Sequence, residues 1–255
     1  MASKFSKTLV IIALILLFVV LVAARIPARW GVWALHHATP AVRLMGISGT
    51  IWEGRAVGGT LIVGNQRVPV ENLRWDVNPW TLLGLKVCAH VEAQVMAQPA
   101  SGDVCGAPGN TFTATNTQVS APMALMNQWT GLKLAGQASL QLQTLRMQDQ
   151  RVEEMQGNLS WRDARWNDGE RWIPLGAFAA KLSEGSEGGV AAEMFELDGP
   201  FKLQLTGNFV VGKEPVIKGV VTPSEQAPAQ ISEALQFVGE PVEGGGFRVA
   251  WPPGT

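Results

Sequence analysis

Tyrosine is absent from this chain of 255 residues, histidine occurs three times and cysteine twice. The formal net charge is −1. That balance excludes the basic surface by which proteins bind nucleic acid. It also gives no attraction to anionic lipid. So few soft ligands exclude a metal centre of ordinary spacing, since His90 is the only histidine near the cysteines and no second Cys pair exists. His36 and His37 fall close to the apolar N-terminus and suit an interfacial helix better than a metal. "GSEGG", Gly185 to Gly189, is not the Gly-x-Ser-x-Gly elbow of a hydrolase. The carboxylates Glu153, Glu154, Asp163, Asp168 and Glu170 interleave with Arg151, Arg162, Arg165 and Arg171. They read as a solvated face, because a glycosidase needs two carboxylates converging across a cleft. The expectation is no enzyme, no cofactor and no metal.

What is present begins with one long apolar run. Lys4 and Lys7 precede Thr8 to Ala24, and Arg25 and Arg29 follow. The run is about 17 residues, at the lower limit for crossing a hydrocarbon core as a helix. It exceeds the apolar region of a typical signal peptide, although Val22-Ala23-Ala24 resembles a cleavage site. The reading is a single transmembrane helix over 9–24, its apolar face built by Leu9, Val10, Ile11, Ile12, Leu14, Leu16, Leu17, Phe18 and Leu21. Residues 1–8 form a cytoplasmic tail, 25–45 a juxtamembrane segment and 46–255 a periplasmic domain. Cys88 and Cys105 close a short loop, which suits a disulfide in an exported compartment. The other reading is two free thiols in a reducing one. Anchor and disulfide together imply an inner-membrane protein with its bulk in the periplasm.

Past the anchor the hydropathy has period two. Val87, Ala89, Val91, Ala93 and Val95 alternate with Cys88, His90, Glu92 and Gln94. "GQASLQLQTL" and "PFKLQLTGNF" repeat the device. Strands with one apolar face belong to antiparallel sheets, so the fold is mainly β: a large antiparallel sheet, open or partly closed, sandwich- or groove-like, with one or two short helices. Turn signals stand at Gly58-Gly59, Gly64-Asn65, Asn167-Asp168-Gly169, Gly188-Gly189, Gly207-Asn208 and Gly212. "RWNDGERW" reads as a hairpin with Trp166 and Trp172 on its flanks. Short helices are expected at Ser120 to Trp129, at Pro228 to Val238 and as a continuation of the membrane helix up to Pro40. "VENLRWDVNPW" and "MQGNLSWRDARW" share a Leu-x-Trp strand, consistent with two related β units broken near 98–130. "QPASGDVCGAPGN" is the candidate linker or long loop.

In "SGTIWEGRA" a tryptophan lies between a Gly-Thr pair and a Glu-Gly-Arg turn, with no nucleophile or metal ligand beside it. Ile51 and Trp52 are expected on a short strand, with Trp52 anchoring the first hairpin in the core. Roughly two dozen residues on comes "LRWDVNPWTLLGLKV". An anchor followed by Gly49, Thr50, Trp52 and Gly54, then by Leu73, Trp75, Pro79, Leu82 and Leu83, resembles the N protein family of type II secretion systems. Gly84 follows the second leucine one place earlier than that pattern. The resemblance implies a non-enzymatic accessory or assembly component of the machinery exporting folded periplasmic proteins across the outer membrane. It implies contact with the C, L and M inner-membrane components and the outer-membrane secretin. The alternative is a lipid-binding or lipid-bridging protein similar to the AsmA-like family, with an apolar β groove for phospholipid.

Overall fold

The computed structural model describes residues 2–38, 41–63, 66–127, 131–225 and 227–252, with the side chains of 2–9, 38, 63, 66, 229, 234, 237 and 238 excepted. Pro40, Gly64, Asn65 and Trp129 lie outside the described residues. Helix α1 (Ala2–Ala24) turns at Arg25–Pro27 into α2 (Ala28–Ala38). The strands follow: β1 (Val42–Gly49), β2 (Glu53–Val63), β3 (Gln66–Asn78), β4 (Val87–Val95), β5 (Gln98–Ala107), β6 (Thr111–Pro122) and β7 (Lys133–Gln148). Then come β8 (Arg151–Asn167), β9 (Trp172–Glu184), β10 (Val190–Asp198), β11 (Phe201–Phe209), β12 (Val216–Pro223), helix α3 (Ala229–Val238), β13 (Glu240–Val242) and β14 (Gly246–Trp251).

All 14 strands form one sheet in the order β1 through β12, then β14 and β13. Every recorded pairing is antiparallel. The order is linear, with β1 at one edge and β13 at the other, so the sheet is open. Neighbouring strands follow one another in sequence, except that α3 and β13 intervene between β12 and β14, which keeps most partners local in sequence. Burial is thin: Ala56, Val68, Ala114, Leu134, Leu142, Val152, Ala164, Ile173, Ala180, Ala192 and Phe201 form a stripe of mostly small side chains. Among the described residues no large side chain is fully buried. Cohesion therefore rests on long paired strands, such as the 16 residues of β7 against the 17 of β8, and on cross-strand side-chain pairs. Register shifts coincide with Asn72, Asn116 and Asp163, all at positive φ (51°, 48° and 51°). Asn and Asp tolerate that left-handed conformation better than other side chains, and the resulting bulges bend and twist the sheet.

The alternation in β4 matches the expected faces from Ala89 to Val95, with His90, Glu92 and Gln94 the more exposed, but Val87, expected on the apolar face, is exposed while Cys88 is not. Asn167 pairs with Trp172 across the Asn-Asp-Gly tip, where Asp168 Oδ1 accepts from the amides of Glu170 and Arg171. Other expectations fail. "QPASGDVCGAPGN" is neither a linker nor a long loop but β5 and the turn after it, with β5 hydrogen-bonded to β4 and β6. Its small residues serve close packing, since a Cβ on Gly102 would stand 2.5 Å from Thr117 Oγ1. Gly58-Gly59 and Gly207-Asn208 are mid-strand, not turns. Of the helix expected at Ser120 to Trp129, Ser120–Pro122 instead end β6, Met123–Met126 form a 3-10 turn and Asn127 is helical, while 128–130 lie outside the described residues. α2 is a separate helix, not a continuation of α1. Among the described residues no helix is long and apolar enough to cross a membrane.

Candidate functional site

The Gly-Thr-x-Trp-x-Gly stretch forms the tip of the β1–β2 hairpin, where it meets the corner between α1 and α2. Gly49 pairs with Gly54. Thr50 N donates to Glu53 O at 2.7 Å, while Glu53 N donates to the Thr50 hydroxyl at 3.1 Å. The threonine side chain thus replaces a backbone acceptor in the turn. Gly49 has φ +92°, and a Cβ there would overlap Glu53 O, so glycine is required on both counts. Ile51 and Trp52 sit at the tip rather than on a strand, which corrects the expectation that Trp52 enters the sheet core.

The tip points at the helical corner. Trp52 Nε1 donates to Ala23 O at 2.8 Å, and Ile51 N donates to Ile26 O at 3.0 Å. Thr50 bridges Pro27. The last carbonyls of a helix lack internal partners, and here the hairpin supplies one to α1. Ile51 also meets α2, since a Cβ on Gly31 would stand 3.2 Å from Ile51 Cγ2. On the sheet side, Val77 N donates to Trp52 O at 2.6 Å. Trp52 therefore clasps α1 with its indole and β3 with its carbonyl. Replacing it by phenylalanine keeps the ring and removes one hydrogen bond, about 1 kcal/mol. The expected outcome for Trp52→Phe is faster tryptic cleavage at Arg25 and Arg29 with the sheet's melting temperature unchanged.

The second motif completes the same end of the sheet. Trp75 lies opposite Gly54 in β2–β3, its ring over the glycine, where any Cβ would overlap Cζ2 and Cε2. Leu73 pairs with buried Ala56. Asn78 accepts from Trp80 N at 3.0 Å and caps the 3-10 turn Pro79–Gly84, with Pro79 in its first turn. Leu82 and Leu83 of that turn are exposed. The two motifs are thus one structural unit around the hairpin tip.

Cys88 and Cys105 are disulfide-bonded across β4 and β5, with Cα atoms 4.1 Å apart. That register sets His90 opposite Asp103. His90 has two carboxylate partners: Nδ1 lies 2.7 Å from Asp103 Oδ1 and Nε2 lies 3.6 Å from Glu92 Oε1. Asn116 Nδ2 donates to Asp103 Oδ2 at 3.2 Å. With Ser48, Arg55, Arg74, Trp75 and Asp76, His90 and Glu92 line an open hollow of about 530 Å³. The signal for the pair was the cysteine register itself, since antiparallel pairing that joins Cys88 to Cys105 carries His90 to Asp103.

Asp103's hydrogen bond holds His90 above its ordinary pKa of 6.5. The bond from His90, then that from Asn116, holds Asp103 below its ordinary 3.8. The raised histidine contributes below its unfolded value and is lost as pH rises through the folded one. The depressed aspartate contributes above its unfolded value and is lost as pH falls through the folded one. The pair is therefore complete between about pH 3.8 and 6.5. Proton NMR of His90 is expected to give a midpoint above 6.5 that falls in Asp103→Asn.

A second hollow, about 370 Å³, opens on β8–β11 between Met123, Leu159, Trp161, Phe178, Met194 and Leu203. The apolar residues expected to anchor α1 are exposed, with every large side chain from Val10 to Val22 at 51–66%. The side chain of Leu9 lies outside the described residues.

Comparison with known proteins agrees with this geometry. The family described as "Type II secretion system (T2SS), protein N" matches residues 40–250, which include every motif residue of the hairpin tip and the 3-10 turn. The type II secretion system protein N of Aeromonas hydrophila is 25% identical over 261 aligned residues, covering 96% of this chain and 97% of that protein. No solved structure matches. Neither finding supports the lipid-bridging alternative. The chain belongs to the type II secretion system protein N family, whose members are accessory components of that machinery and are not known as enzymes.

Proposed function

We propose that this chain is an assembly component held in the inner membrane by α1, with residues 1–8 cytoplasmic and 46–255 periplasmic. The observation that carries the secretion role is the family match over 40–250. The membrane reading has separate support. The uncharged run of α1, Thr8–Ala24, is about 26 Å long at 1.5 Å per residue, the lower limit for a hydrocarbon core of about 30 Å. Its described side chains are apolar on every side and touch little of the sheet, a pattern that water does not tolerate. Lys7 and Arg25 bracket the run, where long cationic side chains reach the headgroups. The Cys88–Cys105 disulfide suits an oxidising compartment.

In this reading the open sheet is the docking element. β1 and β13 each leave one edge unpaired among the described residues, and a free edge accepts a partner strand through backbone hydrogen bonds. The partners are the C, L and M inner-membrane components and the outer-membrane secretin. The test is deletion with complementation, reading export of type II substrates, alongside photo-crosslinkers placed along β1 and β13. Export is expected to fall and crosslinks to secretion components to form. Normal export with no such crosslink overturns the proposal.

A further inference from the structure

The 3-10 turn Pro79–Gly84 has no buried residue, yet it is not loosely held. Trp80 N bonds Asn78 Oδ1, and Thr81 Oγ1 donates to Asn78 O at 2.7 Å. Lys86 N donates to Thr81 O at 3.1 Å, and Cys88 N to Thr81 Oγ1 at 3.3 Å. Leu85 closes the turn at φ 55°, a left-handed conformation costly for a leucine. The rigid turn presents Trp80, Leu83 and Leu85 to the exterior at 76%, 84% and 74% exposure. Three large apolar side chains held outward on a fixed loop mark an interaction surface.

Its position selects the partner. Val77, two residues before the turn, bonds Trp52, and Trp52 bonds Ala23 in the last turn of α1. The loop therefore stands at the end of the sheet clasped to the helix exit. Trp30 and Trp33, one helical turn apart on α2, are likewise exposed at 59% and 60%. Trp30 lines a shallow apolar hollow with Phe18, Leu21 and Val22 of α1. Tryptophans gather where a membrane helix leaves the hydrocarbon, because the indole is apolar in body and polar at N–H.

We infer that the Pro79–Leu85 loop is a second membrane contact, seating Trp80, Leu83 and Leu85 in the interface of the bilayer from which α1 emerges. This rests on the reading of α1 as a membrane anchor. The loop and α1, joined through Trp52, give the sheet two points of attachment and so a fixed tilt on the membrane. Apolar groups seated in this way sink about 5–10 Å into the headgroup/acyl boundary.

The test uses the full chain reconstituted in phosphatidylcholine/phosphatidylglycerol vesicles, with an environment-sensitive fluorophore on a single introduced thiol. Labelling is done without reductant, so that the Cys88–Cys105 bond leaves only the new thiol. Leu83→Cys reports on the loop, Leu16→Cys on α1 and Leu197→Cys on an exposed leucine at the other end of the strands. Lipids spin-labelled near the headgroup are expected to quench Leu83→Cys several-fold more than Leu197→Cys, while lipids labelled deep in the chain quench Leu16→Cys. Quenching at Leu16 but not at Leu83 overturns the loop contact and leaves the anchor standing; the loop then faces water or a protein. Quenching at neither position overturns both.

Discussion

Gly54→Val unfolds the first hairpin and lowers the stability of the sheet by about 3 kcal/mol, the upper range for forcing bulk into a packed site. The valine Cβ arrives inside the plane of the Trp75 ring, against Cζ2 and Cε2. The ring must leave its place over Gly54, and the same Cβ stands 2.9 Å from Thr50 O, a backbone atom that cannot swing aside. Moving either group tilts the tip away from the helical corner. The Ile51–Ile26 and Trp52–Ala23 bonds then go as well. Urea unfolding of detergent-solubilised protein checks the magnitude, and a double-mutant cycle checks the cause. In a Trp75→Ala background Gly54→Val is expected to cost less than half as much, because the clash is gone. An unchanged cost would mean that glycine is needed at 54 for its backbone alone.

The same device recurs in the second Leu-x-Trp strand. Trp161 donates from Nε1 to Ala135 O at 3.0 Å, and a Cβ on Gly136 would stand 2.7 Å from that nitrogen. In both places a glycine on the preceding strand makes room for the indole. The sequence pattern of Leu-x-Trp was visible, but its glycine partner was not, because register decides which glycine meets which ring. Strand positions were legible wherever period two held over long polar and apolar residues, as in β4, β7 and β11. They were hidden where packing demanded small residues, as in β5, whose Gly, Ala and Ser imitate a linker. Trp52 was legible as a signature and misread as a core residue. Its true partner, Ala23 O, is a backbone group with no mark in the sequence. Helix α3 was legible as the short helix expected at Pro228 to Val238.

Removing the disulfide by Cys88→Ser/Cys105→Ser is expected to cost about 3 kcal/mol, from the separation of 17 residues it closes. The reason for so large a dependence lies at the other end of the same hairpin. β4 and β5 are joined by Met96-Ala97, both at positive φ (51° and 64°). A two-residue turn of that hand favours Asn-Gly, and neither native residue adopts it cheaply. The turn works against the register that the cysteines enforce, so the covalent bond stabilises what the turn chemistry does not. Placing Met96→Asn/Ala97→Gly in the cysteine-free background should therefore recover about 1 kcal/mol, measurable by denaturant unfolding. His90 provides the check on register. If the hairpin of the cysteine-free variant keeps its alignment, the His90 midpoint stays above 6.5 because Asp103 still faces it. A midpoint that falls to the Asp103→Asn value would mean the strands have slipped, and the disulfide would then specify the register as well as strengthen it.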